Sequence, residues 1–419
     1  MSLALGTPGI YIKELPSQKT IQAVGTSVAA FLGQAPNAGA HLNEAVPIDS
    51  WAKFRREFAS GDNVRSTWLS HAVYGFLQNG GSRCFIVNMP DGESIAGGVQ
   101  PRSGLNLLEE IGEGEVSILA APGKHDAQSH DALLSYCEKM GNCVAICDTP
   151  PDVQNTELLK VVETAPIPTK GKEKEKDKDK DKEKDGGTAS AAKSAVGLRP
   201  RNPLGGLATL YFPWIYVADA LNPKGEIVKV PPSGHMAGVW ARTDSTIGVH
   251  KAPANTPILG ALNLAYRVTS AEQATLNSMG INCIRYFPTE GILVWGARTL
   301  AEESSEWRYL NVRRLIIMIE ESIKRATRWV VFESNDRTLW KTIRSEINGF
   351  LMNVHRDGAL MGATPEEAFF VKCDEEINTP ESIAMGQVIT LVGLAPVKPA
   401  EFVVFQIGQY EGGSEIKTL

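Results

Sequence analysis

Apolar residues recur along this chain in two rhythms, and the rhythm changes in its last third. In the earlier part, short apolar runs alternate with amphipathic stretches. "SVAAFLG" (27–33) predicts a buried strand. "DSWAKFRREFASG" (49–61) predicts a helix with Asp49 or Ser50 as N-cap, Trp51, Phe54 and Phe58 on one face, and Gly61 as the stop. Val64, Trp68, Ala72, Val73 and Phe76 fall on one stripe and predict a second helix, ended by "NGG" at 79–81. "RCFIVNM" starts a strand at Arg83. Residues 116–123, 125–142 and 143–150 read as strand, helix and strand, a crossover that normally joins parallel strands. "LYFPWIYVAD" (210–219) reads as a further strand. The pattern is that of an α/β domain.

After residue 300 the helical rhythm dominates. "WRYLNVRRLIIMIEESIKRATRWVV" (307–331) places Val312, Leu315, Ile316, Ile319, Ile323 and Ala326 at helical spacing, with Arg313, Arg314, Lys324, Arg325 and Arg328 expected away from that stripe. "NDRTLWKTIRSEINGFLMNVHRDG" (335–358) begins with an Asn or Asp cap and repeats the pattern through Leu339, Ile343, Ile347, Phe350, Leu351 and Val354. Two strand-like segments, 386–396 and 400–410, follow on either side of a Pro-rich turn. Together they predict an α+β module.

One segment fits neither rhythm. "KGKEKEKDKDKDKEKDGG" (170–187) alternates eight lysines with seven carboxylates and offers no apolar face to bury as helix or strand. It predicts a solvated, disordered surface insertion spanning about 165–204. Loop-closure entropy grows slowly with length, roughly 0.6 kcal/mol per doubling, so such an insertion is tolerable.

Composition narrows the classes. At 419 residues with 43% apolar and 21% charged content, the chain has room for two or three ordinary globular domains. A net charge of −6 gives no global argument for nucleic acid. The opening "MSLALGTPGIYIKELP" lacks the basic and apolar regions of a signal peptide, and the apolar run Leu315–Ile319 is far too short to span a bilayer. Six cysteines in so long a chain suit a reducing compartment, and a soluble cytoplasmic protein is expected.

The candidate chemistry is thin. "GVWARTDSTIGVHKAPAN" (238–255) brings Arg242, Asp244, Ser245, His250 and Lys251 together, but it has no Gly-x-Ser-x-Gly turn and is expected to be a structured loop. Asp148 and Asp219 each follow an apolar strand, where α/β enzymes often place carboxylates; a turn or cap role is the simpler expectation. His125 and His130 sit five apart with no third ligand evident, and Cys143 and Cys147 straddle one strand facing the core. No cofactor is expected. The alternative to a non-catalytic protein is an α/β hydrolase-type enzyme using Asp148, Asp219 or the 242–251 segment.

The blocks "PGIYIKELPS" (8–17), "IQAVGTSVAAFLGQAP" (21–36), "PPSGHMAGVWARTDSTIGVHKAPAN" and "LNSMGINCIRYFPTEGILVWGARTL" resemble the sheath protein of contractile phage tails and related injection systems. So do "WRYLNVRRLIIMIEESIKRATRWVVFESND" and "GALMGATPEEAFFVKCDEEINTP"; the resemblance covers nearly all of the chain except the charged insertion. It implies a structural subunit that polymerises as stacked rings around an inner tube and contracts to drive that tube through an envelope. It implies an outer α/β domain (26–290) inserted into an α+β core domain made from the N-terminal arm (1–25) and the C-terminal third (291–419, arm 397–419). It also implies partners: further copies of the chain, an inner tube, baseplate and terminal cap proteins, with no nucleic acid and no membrane insertion. Assembly in the bacterial cytoplasm as part of a phage tail or tail-like particle is expected.

In that family, arms add strands to neighbouring subunits. Here the matching segments are Gly9, Ile10, Tyr11, Ile12, Lys13 and Glu14, and at the other end Phe402, Val403, Val404, Phe405 and Ile407. "GIYIKEL" is β-prone with no partner nearby in sequence, and an unpaired strand invites another chain. Arg313, Arg314, Lys324, Arg325 and Arg328 are the candidate tube-facing cations.

Overall fold

The computed structural model describes residues 21–61, 64–112, 114–163, 197–222 and 224–404. The N-terminal arm 9–14, the charged run 170–187, Phe405 and Ile407 lie outside the described residues.

Chain order opens with β1 (Ala29–Gly33), β2 (Ala45–Ile48), α1 (Trp51–Phe58), α2 (Trp68–Gln78) and β3 (Cys84–Asn88). β4 (Ile118–Ala120), α3 (Ala127–Met140), β5 (Val144–Asp148) and β6 (Ala208–Phe212) follow. β1, β3, β4, β5 and β6 are buried at every position, as expected of parallel strands covered on both faces. The helices start where cap chemistry allows: Ser50, Thr67 and Asp126 accept backbone N–H groups at the heads of α1, α2 and α3. α1 ends at Ala59 rather than at Gly61.

Next come β7 (Ile215–Ala218), β8 (Ile227–Val230), α4 (Ser233–Thr246), β9 (Thr256–Pro257), β10 (Ala261–Leu264), α5 (Ser270–Ser278), β11 (Ile281–Phe287) and β12 (Gly291–Val294). The expected strand at 210–219 is therefore two strands: Pro213, with no N–H to donate, separates β6 from β7, and they join different sheets. The large sheet has nine strands in the order β2-β3-β1-β4-β5-β6-β11-β12-β9. Its middle, β3 through β11, is parallel, while β2, β12 and β9 pair antiparallel at the margins. β10, β7 and β8 form a separate three-stranded antiparallel sheet.

The remaining elements are α6 (Leu310–Ala326), α7 (Arg337–Arg356), α8 (Pro365–Ala368), β13 (Phe369–Lys372), α9 (Pro380–Ala384) and β14 (Leu391–Leu394). β13 and β14 form a two-stranded antiparallel sheet. The segment expected as a strand at 400–410 carries no strand over its described part, 400–404.

The described residues form two cores. One fills the α/β unit; the other gathers Ile21, Leu315, Met318, Ile319 and the buried stripe of α7. α6 feeds both, giving Leu310 and Ile317 to the first and Leu315, Met318 and Ile319 to the second. The boundary expected after residue 290 cuts the β11–β12 hairpin, because Ile284 pairs with Val294 and the large sheet continues past that point. Residues 197–204, expected inside the insertion, are among the described residues. Leu198 N–H donates to Leu158 O (2.9 Å), and the buried Arg199 donates to the carbonyls of Met279 (3.1 Å) and Leu300 (3.3 Å).

Candidate functional site

The segment 238–255 is not a loop throughout. Its first nine residues are the last nine of the fourteen in α4, a helix buried around most of its circumference. α4 lies against α2 so closely that a β-carbon on Gly234 would sit 2.3 Å from the Ala72 Cα, and one on Gly238 would sit 2.5 Å from the Phe76 carbonyl oxygen. Only glycine permits that approach. The packing holds the last turn of α4 against α6, and there Asp244 takes its role. Arg314 donates to its two carboxylate oxygens at 2.9 and 2.5 Å, and the Thr26 hydroxyl donates to it at 2.6 Å. Arg314 also donates to the Thr26 carbonyl at 2.9 Å and stacks over the Trp240 ring at 4.8 Å. The side chains of Arg314 and Asp244 are only 3% and 6% exposed. One arginine thus ties the N-terminal segment, the α/β unit and α6 together.

The other parts of the expected chemistry are equally occupied. The Ser245 hydroxyl donates to the Arg242 carbonyl at 2.9 Å, and among the described residues it shares no hydrogen bond with His250. Asp148 is buried at the end of β5 and accepts from Gly123 N–H (3.1 Å), Ser233 N–H (3.0 Å) and the Ser233 hydroxyl (2.6 Å). It caps α4 from another element. Burial pushes its carboxyl up to about 6, the three donors opposing the rise. Ser233, Asp148 and His130 are each at most 1% exposed. His130 bridges the Asp148 carbonyl (3.1 Å) and Glu163 (2.6 Å). Asp219 accepts from the Ser66 hydroxyl and from Leu221 N–H at 3.0 Å. Cys143 and Cys147 are buried free thiols, and no metal-holding group of side chains occurs among the described residues. No helix of the described residues is long and apolar enough to cross a membrane.

A cavity of about 1000 Å³ opens beyond the carboxyl ends of β1, β3 and β4, where sheets of this order place ligands. Its lining mixes four acids (Asp91, Glu93, Asp219, Glu226) with three bases (Arg65, Lys124, Lys229), so no strong charge of one sign marks it for a ligand.

A second cavity, about 660 Å³, is different in kind. It is a groove between α6 and β14, walled by Val312, Ile316, Ile319 and Ile323 on one side and Val392, Leu394 and Pro396 on the other. Beside it β14 pairs only with β13, so among the described residues one edge of each strand has no ladder partner. Both ends of the described chain are fixed close to α6. Val24 N–H donates to the Ser322 hydroxyl (3.0 Å), and Asn311 donates to the Val397 carbonyl (3.1 Å). Glu401 accepts from Arg298 through both oxygens, with Nε at 2.9 and 3.1 Å. Immediately beyond that ion pair, Phe402, Val403 and Val404 are 76%, 70% and 81% exposed.

The five cations expected to face outward divide. Arg313 and Arg314 are buried, Arg313 lying over the Trp307 ring at 4.6 Å, because they fall on the side of α6 turned to the α/β unit. That corrects their expected exposure. Lys324 and Arg328 are exposed and Arg325 is half-buried. The sequence reading missed β13, the Arg314–Asp244 clasp and the Arg298–Glu401 anchor. The pairs are 70 and 103 residues apart, and periodicity carries no signal for such distances.

Comparison with known proteins bears on the whole chain. Residues 97–300 match the family described as phage tail sheath protein central domain, and residues 302–409 match the phage tail sheath C-terminal domain. The tail sheath protein of Salmonella phage ViI is 32% identical over 186 residues, 44% of this chain and 28% of that protein, so the match spans little more than a quarter of that relative. The PVC sheath complex of an extracellular contractile injection system, in its contracted state, superposes with a TM-score of 0.71 at 29% identity. That match covers 97% of this chain and 99% of the other. The contracted helical sheath of the anti-feeding prophage gives 0.70 at 28% identity, covering 97% and 100%.

Proposed function

The chain belongs to the phage tail sheath family, and from that premise we propose that it is the structural subunit of a contractile sheath, without catalytic activity. The observation that carries this is the end-to-end superposition on two contracted sheath subunits at 29% and 28% identity. The proposed partners are further copies of the chain, an inner tube, and baseplate and cap proteins, in a phage tail or tail-like particle assembled in the bacterial cytoplasm.

The α/β unit is the proposed outer domain, and α6 onward with the N-terminal segment is the proposed core domain. In this reading the groove between α6 and β14 receives a strand from a neighbour. Strand addition to an open sheet edge gains backbone hydrogen bonds, while alternate side chains fill pockets. Residues 9–14 suit the groove, because Ile10 and Ile12 would share one face of an added strand and meet the isoleucines of α6. Residues 402–407 are the matching arm at the other end. Lys324, Arg325 and Arg328 remain the proposed tube-facing cations.

Contraction then needs no nucleotide. A lattice with two packings of unequal free energy does the work by repacking between subunits, while the arms keep it connected. Negative-stain electron microscopy of the purified assembly tests the reading. Striated cylinders or shortened hollow tubes are expected, and uniform small particles would contradict it.

A further inference from the structure

α6 and α7 form a helical hairpin, and the loop 327–336 is its tip. Phe332 stands at that tip fully exposed, at 104%, beside Val331 at 64%. Its backbone lies at φ 71°, the left-handed region that bulky residues avoid. Yet the tip is held firmly. Val330 N–H donates to Thr327 O (3.0 Å), Val331 N–H to Arg328 O (3.3 Å) and Glu333 N–H to Val330 O (3.1 Å). Trp329 donates to Glu346 (3.3 Å), Trp340 to Asn335 (2.8 Å), and Asn335 to the Gln387 carbonyl (2.9 Å). A large aromatic is therefore held in solvent, in a costly conformation, on a tip fixed by hydrogen bonds. Strain of this kind persists where the surroundings over-determine it, and it concentrates at clamps and docking points.

We propose that Phe332 is a plug that seats in an apolar socket on an acidic protein surface, that of the inner tube the sheath encloses. This rests on the sheath reading above. Two observations choose the partner. The exposed side chains near the tip are mostly cationic, with Lys324 and Arg328 before it and Lys341 and Arg344 after it, against Glu333 and the helix-capping Asp336. Opposite charge at a rim steers association and fixes register, while a buried aromatic anchor supplies most of the affinity. The tip of a two-helix hairpin is also suited to reach a separate body, whereas the groove and arms are the proposed links between copies.

The test uses the full chain, wild type and Phe332→Asn, with tubes released from wild-type particles as the probe. Asparagine tolerates the left-handed region, so the variant should melt about 2–4 °C higher. A residue serving only the fold would not give that gain together with a loss of binding. Co-sedimentation with the tubes should weaken by about 30-fold or more, the loss typical of a hot spot. Phe332→Leu should fall between the two. Cylinders should still form, but without a retained tube. Tube binding equal to wild type would overturn the proposal. Loss of cylinders with unchanged tube binding would overturn the partner, placing the plug between copies. Wild-type protein that makes no cylinders would instead overturn the sheath reading, and the tube assignment with it.

Discussion

Arg314 is the residue on which the subunit's internal rigidity turns. Its charge is buried and satisfied by Asp244 and the Thr26 carbonyl, with the Trp240 ring against its face. Replacing buried ion pairs by apolar groups is often neutral, but removing one partner strands the other. Asp244→Leu should therefore cost about 3–5 kcal/mol in urea unfolding, and adding Arg314→Met should recover much of it. Strictly additive losses would show that the pair does not act as a unit. Asp148 gives a pH test. Its pKa rises from 3.8 unfolded to about 6 folded, so the native state binds the extra proton between those values. This group's contribution is present below pH 4 and is lost as pH rises through 6. His235 works the other way: burial lowers its pKa to about 3, so its contribution is lost as pH falls below 6.5. Comparison with Asp148→Asn isolates the first effect. Between pH 4 and 7 the wild type should lose stability relative to the variant in thermal melts, and a flat difference would contradict the assignment. For Asp148 the sequence suggested a turn or cap role, and the structure makes it the cap of α4, a helix far along the chain; the role of Asp244 was not legible, because its partner Arg314 lies 70 residues away.

Elements were legible where one face is apolar and an end is capped. α1, α3, α6 and α7 carry a clear stripe, and Ser50, Asp126 and Asp336 sit at three of their heads. α4 was missed over 238–246 because a helix buried on nearly every side has no stripe to read. β13 was missed because "FFVK" is short and follows directly on α8. The groove can be tested apart from the fold. Ile316 lines it and is only partly buried, so Ile316→Asp should leave the melting transition nearly intact while abolishing cylinders. Assembly equal to wild type would show that the groove receives nothing. The charged run 170–187 lies outside the described residues, and its composition alone motivates its test. Replacing 168–194 by a short Gly/Ser linker, which spares the anchored Leu198 and Arg199, should leave cylinders and contraction intact; their loss would give the run a role in assembly.

At the scale of the molecule, two cores are joined by one helix. α6 holds the α/β unit through Arg314, the N-terminal segment through Ser322 and the C-terminal stretch through Asn311. A pull on the proposed N-terminal arm would reach α6 first, through Val24 and Ser322, and one on the C-terminal arm would reach Arg298 through Glu401 and then α6 through Asn311, which suits a subunit that turns as one body inside a lattice. The direct measurement is electron microscopy, read together with sedimentation and thermal melting, of the full chain and of a chain lacking residues 1–15. Each strand hydrogen bond nets roughly 0.5–1.5 kcal/mol, so loss of the arm should remove a few kcal/mol per intersubunit contact and little from either core. The full chain should form striated cylinders, and the truncated chain should stay soluble, melt cooperatively and form none. Normal cylinders from the truncated chain would contradict the account.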